Sequence, residues 1–219
     1  MLAKNKGFIF DLDGVIVDST EIHSEVWKRY LEPFGIDSSG IRERMHGRRN
    51  DEIVRDLFGD GLSEEAIHAH GAAKEALYRE MMLPQLERRL VPGIREFLAR
   101  YEEIPMAVAS NAEPANVSAI VEGAGLRRWF RAVVDGHQVD RPKPWPDVYC
   151  KAAKLLGVDS EDCIVFEDSA AGVEAARRAG ARVVGIATTC SQLAGVDLMV
   201  RDFLDSELER WIAAALRNR

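Results

Sequence analysis

Residues 7–20 read GFIFDLDGVIVDST. The short apolar run 7–10 ends abruptly at Asp11, and a second aspartate, Asp13, and then Gly14 follow at once. An apolar run of this length bounded by polar and turn residues predicts a buried strand, and the glycine lets the backbone turn sharply after it. Further along, 104–109, 163–166 and 182–186 have the same character, with 132–134 as a shorter candidate. Helical patterns fall between them at 94–100, 115–124, 146–156 and 170–179, the last followed by Gly180 as a C-cap. Strand and helix thus alternate, which predicts an α/β fold: a parallel sheet covered by helices on both faces.

One region interrupts the alternation. From Thr20 to about Leu90 there is no strand pattern, only helical ones at 22–34, 50–58 and 64–82. The expected organisation is a sheet domain built from 1–17 and 91–219, carrying an all-helical insertion, 18–90, on two linkers that permit hinge motion. The end, 206–217, is amphipathic and expected to pack as a helix.

The whole chain has 219 residues, 29 basic against 36 acidic, for a net charge of −7, and 47% of it is hydrophobic. That suffices for a buried core without disulfides or a structural metal. Nucleic acid is not an expected partner, because the basic residues form no stripe and doublets such as Arg127-Arg128 and Arg177-Arg178 read as solvated helix faces. No eighteen apolar residues run together and the N-terminal apolar run is too short for a secretory signal, so no membrane partner is expected and the cytoplasm is the expected compartment. Cys150, Cys163 and Cys190 form no CxxC pair and read as small buried hydrophobes. Nothing in the sequence advertises an interface, and a monomer is expected.

In an open α/β sheet, ligands sit beyond the carboxyl ends of the strands, so the residues just after each expected strand carry the chemistry. These are Asp11 and Asp13, then Ser110-Asn111, then Glu167-Asp168-Ser169, with Lys143 before the helix at 146–156. Singly, each reads equally as a turn residue or helix N-cap. Gathered at one edge, the carboxylates of Asp11, Asp13, Asp168 and Glu167 would repel one another without a cation, and oxygen ligands favour Mg²⁺. Mg²⁺ and Lys143 would together attract a dianion, with the Ser110 hydroxyl and Asn111 amide as donors, and phosphate is the natural candidate. Asp11 can accept a phosphoryl group as a carboxylate nucleophile. Asp13, two residues on and expected on the same side of an extended chain, would protonate the leaving oxygen and then activate water.

These residues resemble the haloacid dehalogenase superfamily over essentially the whole chain. DLDGVIVDST resembles its first motif, VASN the serine motif with Ser110, RPKPWPDVY the lysine motif with Lys143, and VFEDSAAG the acidic motif with Glu167-Asp168. The resemblance implies a Rossmann-like core with a helical cap that closes over substrate. It also implies Mg²⁺ held by the Asp11 side chain, the Asp13 carbonyl and the Asp168 side chain, with Glu167 nearby. The cap resembles that of the phosphoglycolate phosphatase and β-phosphoglucomutase branch. Aspartate at position 13 argues against a dehalogenase and a phosphonatase, whose patterns lack it.

Within the cap, HGRRNDEI at 46–53 resembles the HGxR segment of small sugar- and polyol-phosphate phosphatases, which implies substrate contacts from Gly47 and Arg49. Where a mutase carries a lysine and an arginine around that glycine, this chain has His46 and Asn50, which argues against a mutase. Arg48 and Arg49 also read as surface charges near a helix start. His23 matches the position of a mutase histidine that gates the acid/base aspartate, and it is expected at substrate, at Asp13 or as a partly exposed capping residue. His68 and His70 do not share a helix face and make no metal site, and the four tryptophans read as packing residues, with Trp145 near the expected cleft. The expected activity is a Mg²⁺-dependent phosphatase acting on a small sugar, polyol or hydroxy-acid phosphate. A β-phosphoglucomutase-type mutase and a non-catalytic phosphometabolite sensor are the alternatives.

Overall fold

The computed structural model of the chain describes residues 6–45, 48–59 and 61–217. Strand β1 (Gly7–Phe10) lies inside a six-stranded parallel sheet with β2 (Met106–Ala109), β3 (Phe130–Val134), β4 (Cys163–Glu167), β5 (Arg182–Ile186) and β6 (Leu198–Val200), in the order β3-β2-β1-β4-β5-β6. Between β1 and β2 run α1 (Thr20–Leu31), α2 (Ile41–Met45), α3 (Asn50–Phe58), α4 (Glu64–Met82) and α5 (Leu86–Arg89). Helices α6 (Ile94–Arg100), α7 (Pro114–Gly123), α8 (Asp147–Leu156), α9 (Ala170–Arg178) and α10 (Ser206–Ala215) complete the chain.

The parallel sheet flanked by helices is the expected fold. β2 begins two residues later than its apolar run, because Ile104 closes a turn onto Tyr101. β6 was not expected, being a three-residue edge strand, and neither were the short helices α2 and α5.

Successive strand residues face opposite sides of the sheet. Phe8 and Phe10 enter an aromatic cluster in which Phe10 and Phe166 stack at 4.6 Å, with Phe97 and Phe203 against them. Ile9 faces the other side, where Ala152, Ala153 and Ala176 of α8 and α9 bring those helices close against Val165 and Val183. Because both faces are covered, the strands read as continuous apolar runs, not alternating ones.

Helices α1 to α4 enclose a separate core of Trp27, Leu31, Ile53, Val54 and Ile67. The chain enters and leaves this helical segment side by side: Val17 pairs antiparallel with Leu90, and Asp18 N donates to Arg89 O at 2.8 Å. Of the three cysteines only Cys163 is buried; Cys150 falls on the outward face of α8 and Cys190 is half-buried in a loop, contrary to expectation. Among the described residues no helix is long and apolar enough to cross a membrane.

Candidate active site

β2 and β3 lie to one side of β1 and β4 to β6 to the other, so the strand order reverses between β1 and β4. Ligands in such sheets bind at this reversal. The register Phe10↔Phe166 and Phe10↔Val108 then sets the next residues, Asp11, Glu167-Asp168 and Ser110, at one edge.

Asp13 reaches the same edge by a different route from the one expected. The chain leaves extended geometry at Asp11 and turns, Ile16 N and Val17 N both donating to Leu12 O and Gly14 N to Val17 O. Gly14 adopts φ +77°, and a Cβ there would lie 1.8 Å from Asp168 Oδ2. The glycine therefore serves both the turn and the close approach of a carboxylate.

Lys143, 5% exposed, sits between Asp11 Oδ1 at 2.8 Å and Glu167 Oε1 at 2.6 Å. The contact to Asp11 falls outside hydrogen-bond geometry, so that buried oxygen receives no hydrogen-bond donor. Glu167, in contrast, is saturated. Its Oε1 also accepts from the Tyr149 hydroxyl at 2.6 Å, and its Oε2 accepts from Asp168 N, Ser169 N and Ser169 Oγ. Ser169 Oγ in turn caps α9 by accepting from Gly172 N, so the capping reading of this residue holds as well.

Burial pushes the Asp11 carboxyl up to about 7 despite the pull of Lys143. It pushes Asp168 well above the carboxylate range, Glu167 and Asp11 adding to the effect. Glu167 is held below its ordinary value, Lys143 and the other donors outweighing its burial. One oxygen from each of Asp11, Glu167 and Asp168 lies within 4.8 Å of the others. A donor-less buried carboxylate oxygen, in a group of three carboxylates facing one ammonium, fits a hard divalent cation.

Ser110 is buried, and its Oγ accepts from Ala112 N at 3.1 Å, which leaves the hydroxyl proton available to a ligand. Asn111 Oδ1 accepts from Lys143 N at 3.1 Å, so its amide nitrogen is the free donor. Thr189, not expected at the site, donates its hydroxyl to Asp168 Oδ2.

Asp13 Oδ1 accepts from Ser19 Oγ at 2.6 Å and lies 3.5 Å from His23 Nε2. The buried Lys74 ammonium, 2.9 Å from His23 Nδ1, can only donate, so Nδ1 is the acceptor and Nε2 carries the proton toward Asp13. Burial alone would raise the Asp13 carboxyl; the contacts from His23 and Ser19 outweigh it and hold it below the ordinary value. Oδ2 takes no donor among the described residues and is the oxygen left for proton transfer.

A cavity of about 850 Å³ separates this edge from the helical segment, lined on one side by Asp11, Ser110 and Asp168 and on the other by Asn50, Lys74 and Glu75. Arg49 also lines it, but its guanidinium reaches across to the sheet domain, donating to Gly136 O at 3.0 Å. Arg48 lines it too, its guanidinium pairing with Asp56 at 3.1 Å. Gly47 and its neighbour His46 lie outside the described residues. His68, 3.4 Å from Asp51, and His70, packed on Phe58, stay apart as expected. Trp145 is exposed between the guanidinium groups of Arg141 and Arg178 and is neither core nor cleft, because both neighbouring cations stack on its ring.

Sequence reasoning missed Lys74 and Glu75, which form a buried pair at 2.8 Å joined by Asn50 and Asn116. The signal was present in their spacing, since Ile67, Gly71, Lys74, Glu75, Tyr78 and Met82 make up the buried face of α4.

A family model of haloacid dehalogenase-like hydrolases matches residues 5–180. The β-phosphoglucomutase of Bacillus subtilis (strain 168) is 32% identical over 213 residues, covering 93% of this chain and 92% of its own. The fructose-1-phosphate phosphatase YqaB of Escherichia coli (strain K12) is 31% identical over 188 residues, covering 85% of this chain and 98% of its own. Among solved structures, a hydrolase of the same superfamily from Entamoeba histolytica superposes with a TM-score of 0.85 at 27% identity, over 97% of this chain and 100% of its own.

Proposed function

Because the chain belongs to the haloacid dehalogenase-like hydrolase family, we propose that it is a Mg²⁺-dependent phosphatase hydrolysing a small phosphate monoester through an aspartyl-phosphate on Asp11. The observation that carries this reading is the buried Asp11 oxygen without a hydrogen-bond donor, facing Lys143 and grouped with two further carboxylates. A relative named as a sugar-phosphate phosphatase supports the substrate class.

In this reading a carboxylate oxygen of Asp11 attacks phosphorus, the ester P–O bond breaks, and the departing alkoxide takes a proton from Asp13 Oδ2, which the ionised carboxylate first receives from the bound phosphate monoanion. Water then attacks the phosphoryl group, Asp13 recovers a proton from it, and the P–O bond to Asp11 breaks to release inorganic phosphate. Lys143, the Ser110 hydroxyl and the Asn111 amide hold the phosphoryl oxygens. Asp11, Asp168 and the Asp13 carbonyl would hold Mg²⁺, which when bound neutralises charge on the transferring group and keeps Asp11 ionised. Glu167, its oxygens already taken, orients Lys143. His23 sets Asp13, and the segment 18–90 acts as a cap excluding bulk water. Arg49 would hold that cap to the sheet domain, with its remaining N–H groups available to substrate.

A mutase reading is favoured by the name of the Bacillus relative, and one experiment separates the readings. Phosphate release is measured from a panel of sugar, polyol and hydroxy-acid phosphates, with and without Mg²⁺, beside Asp11→Asn. Mg²⁺-dependent release by the wild type alone supports the phosphatase. Conversion of β-glucose 1-phosphate to glucose 6-phosphate without release identifies a mutase, and tight binding without turnover a sensor.

A further inference from the structure

The loop that follows β5 brings two hydroxyls to the site, those of Thr188 and Thr189. β5 pairs with β4 in a register that sets Glu167 opposite Gly185, so the chain just beyond β5 comes level with Asp168. Thr188 Oγ1 donates to Gly14 O at 2.5 Å, and Thr189 Oγ1 donates to Asp168 Oδ2. Two consecutive residues thus tie the turn after β1, which carries Asp13, to the carboxylate after β4.

Asp168 is 5% exposed, and among the described residues the Thr189 hydroxyl is the only hydrogen-bond donor to its carboxylate. Glu167, one residue earlier, accepts from Lys143, Tyr149, Asp168 N and both donors of Ser169. On its other side Asp168 Oδ2 is crowded by the Gly14 turn, where a Cβ would lie 1.8 Å away. Oδ2 is therefore fixed between that turn and Thr189. Oδ1 takes no donor among the described residues and is the oxygen left for a cation. Thr189 is itself held: its Oγ1 stands 3.3 Å from Oγ1 of Thr20, the first residue of α1. With its proton committed to Asp168, the Thr189 hydroxyl accepts from Thr20 there.

We infer that Thr189 is a positioning residue for the divalent cation: its hydroxyl holds Asp168 by Oδ2 and so presents Oδ1 to the ion. The inference rests on the Mg²⁺-dependent phosphatase reading and adds to it a residue outside the group of three carboxylates. Removing a group that orients a metal-binding side chain from behind costs about 10–100-fold in metal affinity or activity, and Asp168 has no other donor among the described residues to take over the task.

The test uses Mg²⁺ alone, titrated into substrate-free protein at about pH 8 and followed by calorimetry. Thermal unfolding in EDTA establishes that each variant is folded. Thr189→Val keeps the shape and removes the hydroxyl, and its dissociation constant for Mg²⁺ should rise by about 10–100-fold. Thr189→Ser restores the hydroxyl and should stay within about threefold of the wild type. Phosphate release from 4-nitrophenyl phosphate should follow, with the valine variant needing more Mg²⁺ by a similar factor to reach half its maximal rate. Should valine prevent folding, Thr189→Ala removes the same hydroxyl and carries the same expectation. An unchanged Mg²⁺ affinity in a folded variant without the hydroxyl, or an equal loss in Thr189→Ser, overturns the inference and leaves the phosphatase reading intact. A wild type that takes up no Mg²⁺ removes that reading and the inference with it.

Discussion

Lys143 and Tyr149 meet on a single atom: the ammonium and the phenol hydroxyl each lie 2.6 Å from Glu167 Oε1, and the ammonium also stands 4.9 Å from the centre of the Tyr149 ring. Tyr149 thereby fixes the carboxylate that aims Lys143 at Asp11. Tyr149→Phe keeps the ring and removes one of the five hydrogen bonds into Glu167. Its expected cost is about 1–3 kcal/mol of stability, the range for a buried bond to a charged group, with activity reduced about tenfold or less. Lys143→Ala removes the charge itself and should cost about 10²–10³ in kcat. Urea unfolding and steady-state phosphate release check both, and a Phe variant as inactive as the Ala variant would show that Tyr149 does more than position its neighbour.

Gly172 is what allows that carboxylate its place. A Cβ on Gly172 would lie 1.7 Å from Glu167 Oε1, with no flexible chain end to move aside because Glu167 is held from both oxygens. Gly172→Ala should therefore cost about 1–3 kcal/mol or more and displace Lys143 with it. Gly61, where an added Cβ meets nothing within 4 Å, is the control, and Gly61→Ala should stay within about 0.5 kcal/mol of wild type. Thermal unfolding of the two variants side by side tests the contrast.

The expected strands and core helices lie close to those observed because both faces of the sheet are covered, which turns each strand into an unbroken apolar run with polar residues at its end. The candidate site's edge was legible for the same reason: Asp11, Ser110 and Asp168 each follow a strand. What was not legible depends on contacts across the chain. The spacing of Lys74 and Glu75 puts them on the buried face of α4, but their pairing depends on Asn50 and Asn116, from other elements, closing around them. A turn was expected at Gly14, but not that it begins already at Leu12, ahead of Asp13.

Asp13 has its Oδ1 held by Ser19 and His23, with Oδ2 left to carry a proton. An alkoxide leaving group needs that proton and a nitrophenolate does not. Asp13→Asn should therefore slow hydrolysis of an alkyl phosphate by about 10²–10⁴, the usual contribution of a general acid, and slow bond cleavage in 4-nitrophenyl phosphate much less. Pre-steady-state release of nitrophenolate reads the first step alone. Equal losses on the two substrates would count against the acid role.

The Glu75 carboxyl falls from an ordinary 4.5 to about 2, Lys74, His23 and Asn50 outweighing its burial. A depressed folded-state value means that the unfolded chain binds the proton more tightly. The stability it contributes is thus present above about pH 4.5 and lost as the pH falls toward 2, up to about 3 kcal/mol in all. Glu75→Gln has no proton to take up there. Urea unfolding between about pH 2 and 5 should show a flatter stability profile for the variant than for the wild type, and parallel profiles would mean that the pair does not hold Glu75 ionised.

Asp11 and Asp168 are displaced the other way. Burial raises the first to about 7 and the second well above its ordinary value, so the native chain binds protons that the unfolded chain does not. Their contribution is therefore complete below about pH 4 and lost as the pH rises toward 7 and beyond, where two unprotonated carboxylates share the site. Mg²⁺ would replace those protons, so it should stabilise the protein more at about pH 8 than at about pH 5.5. At a concentration a hundred times its dissociation constant the gain is about 2.7 kcal/mol. Thermal unfolding with Mg²⁺ or with EDTA at the two pH values measures this without any substrate. Asp168→Asn, which removes one carboxylate and leaves the fold, should abolish the shift. A shift of the same size in that variant would place the ion elsewhere and leave the buried Asp11 oxygen unexplained.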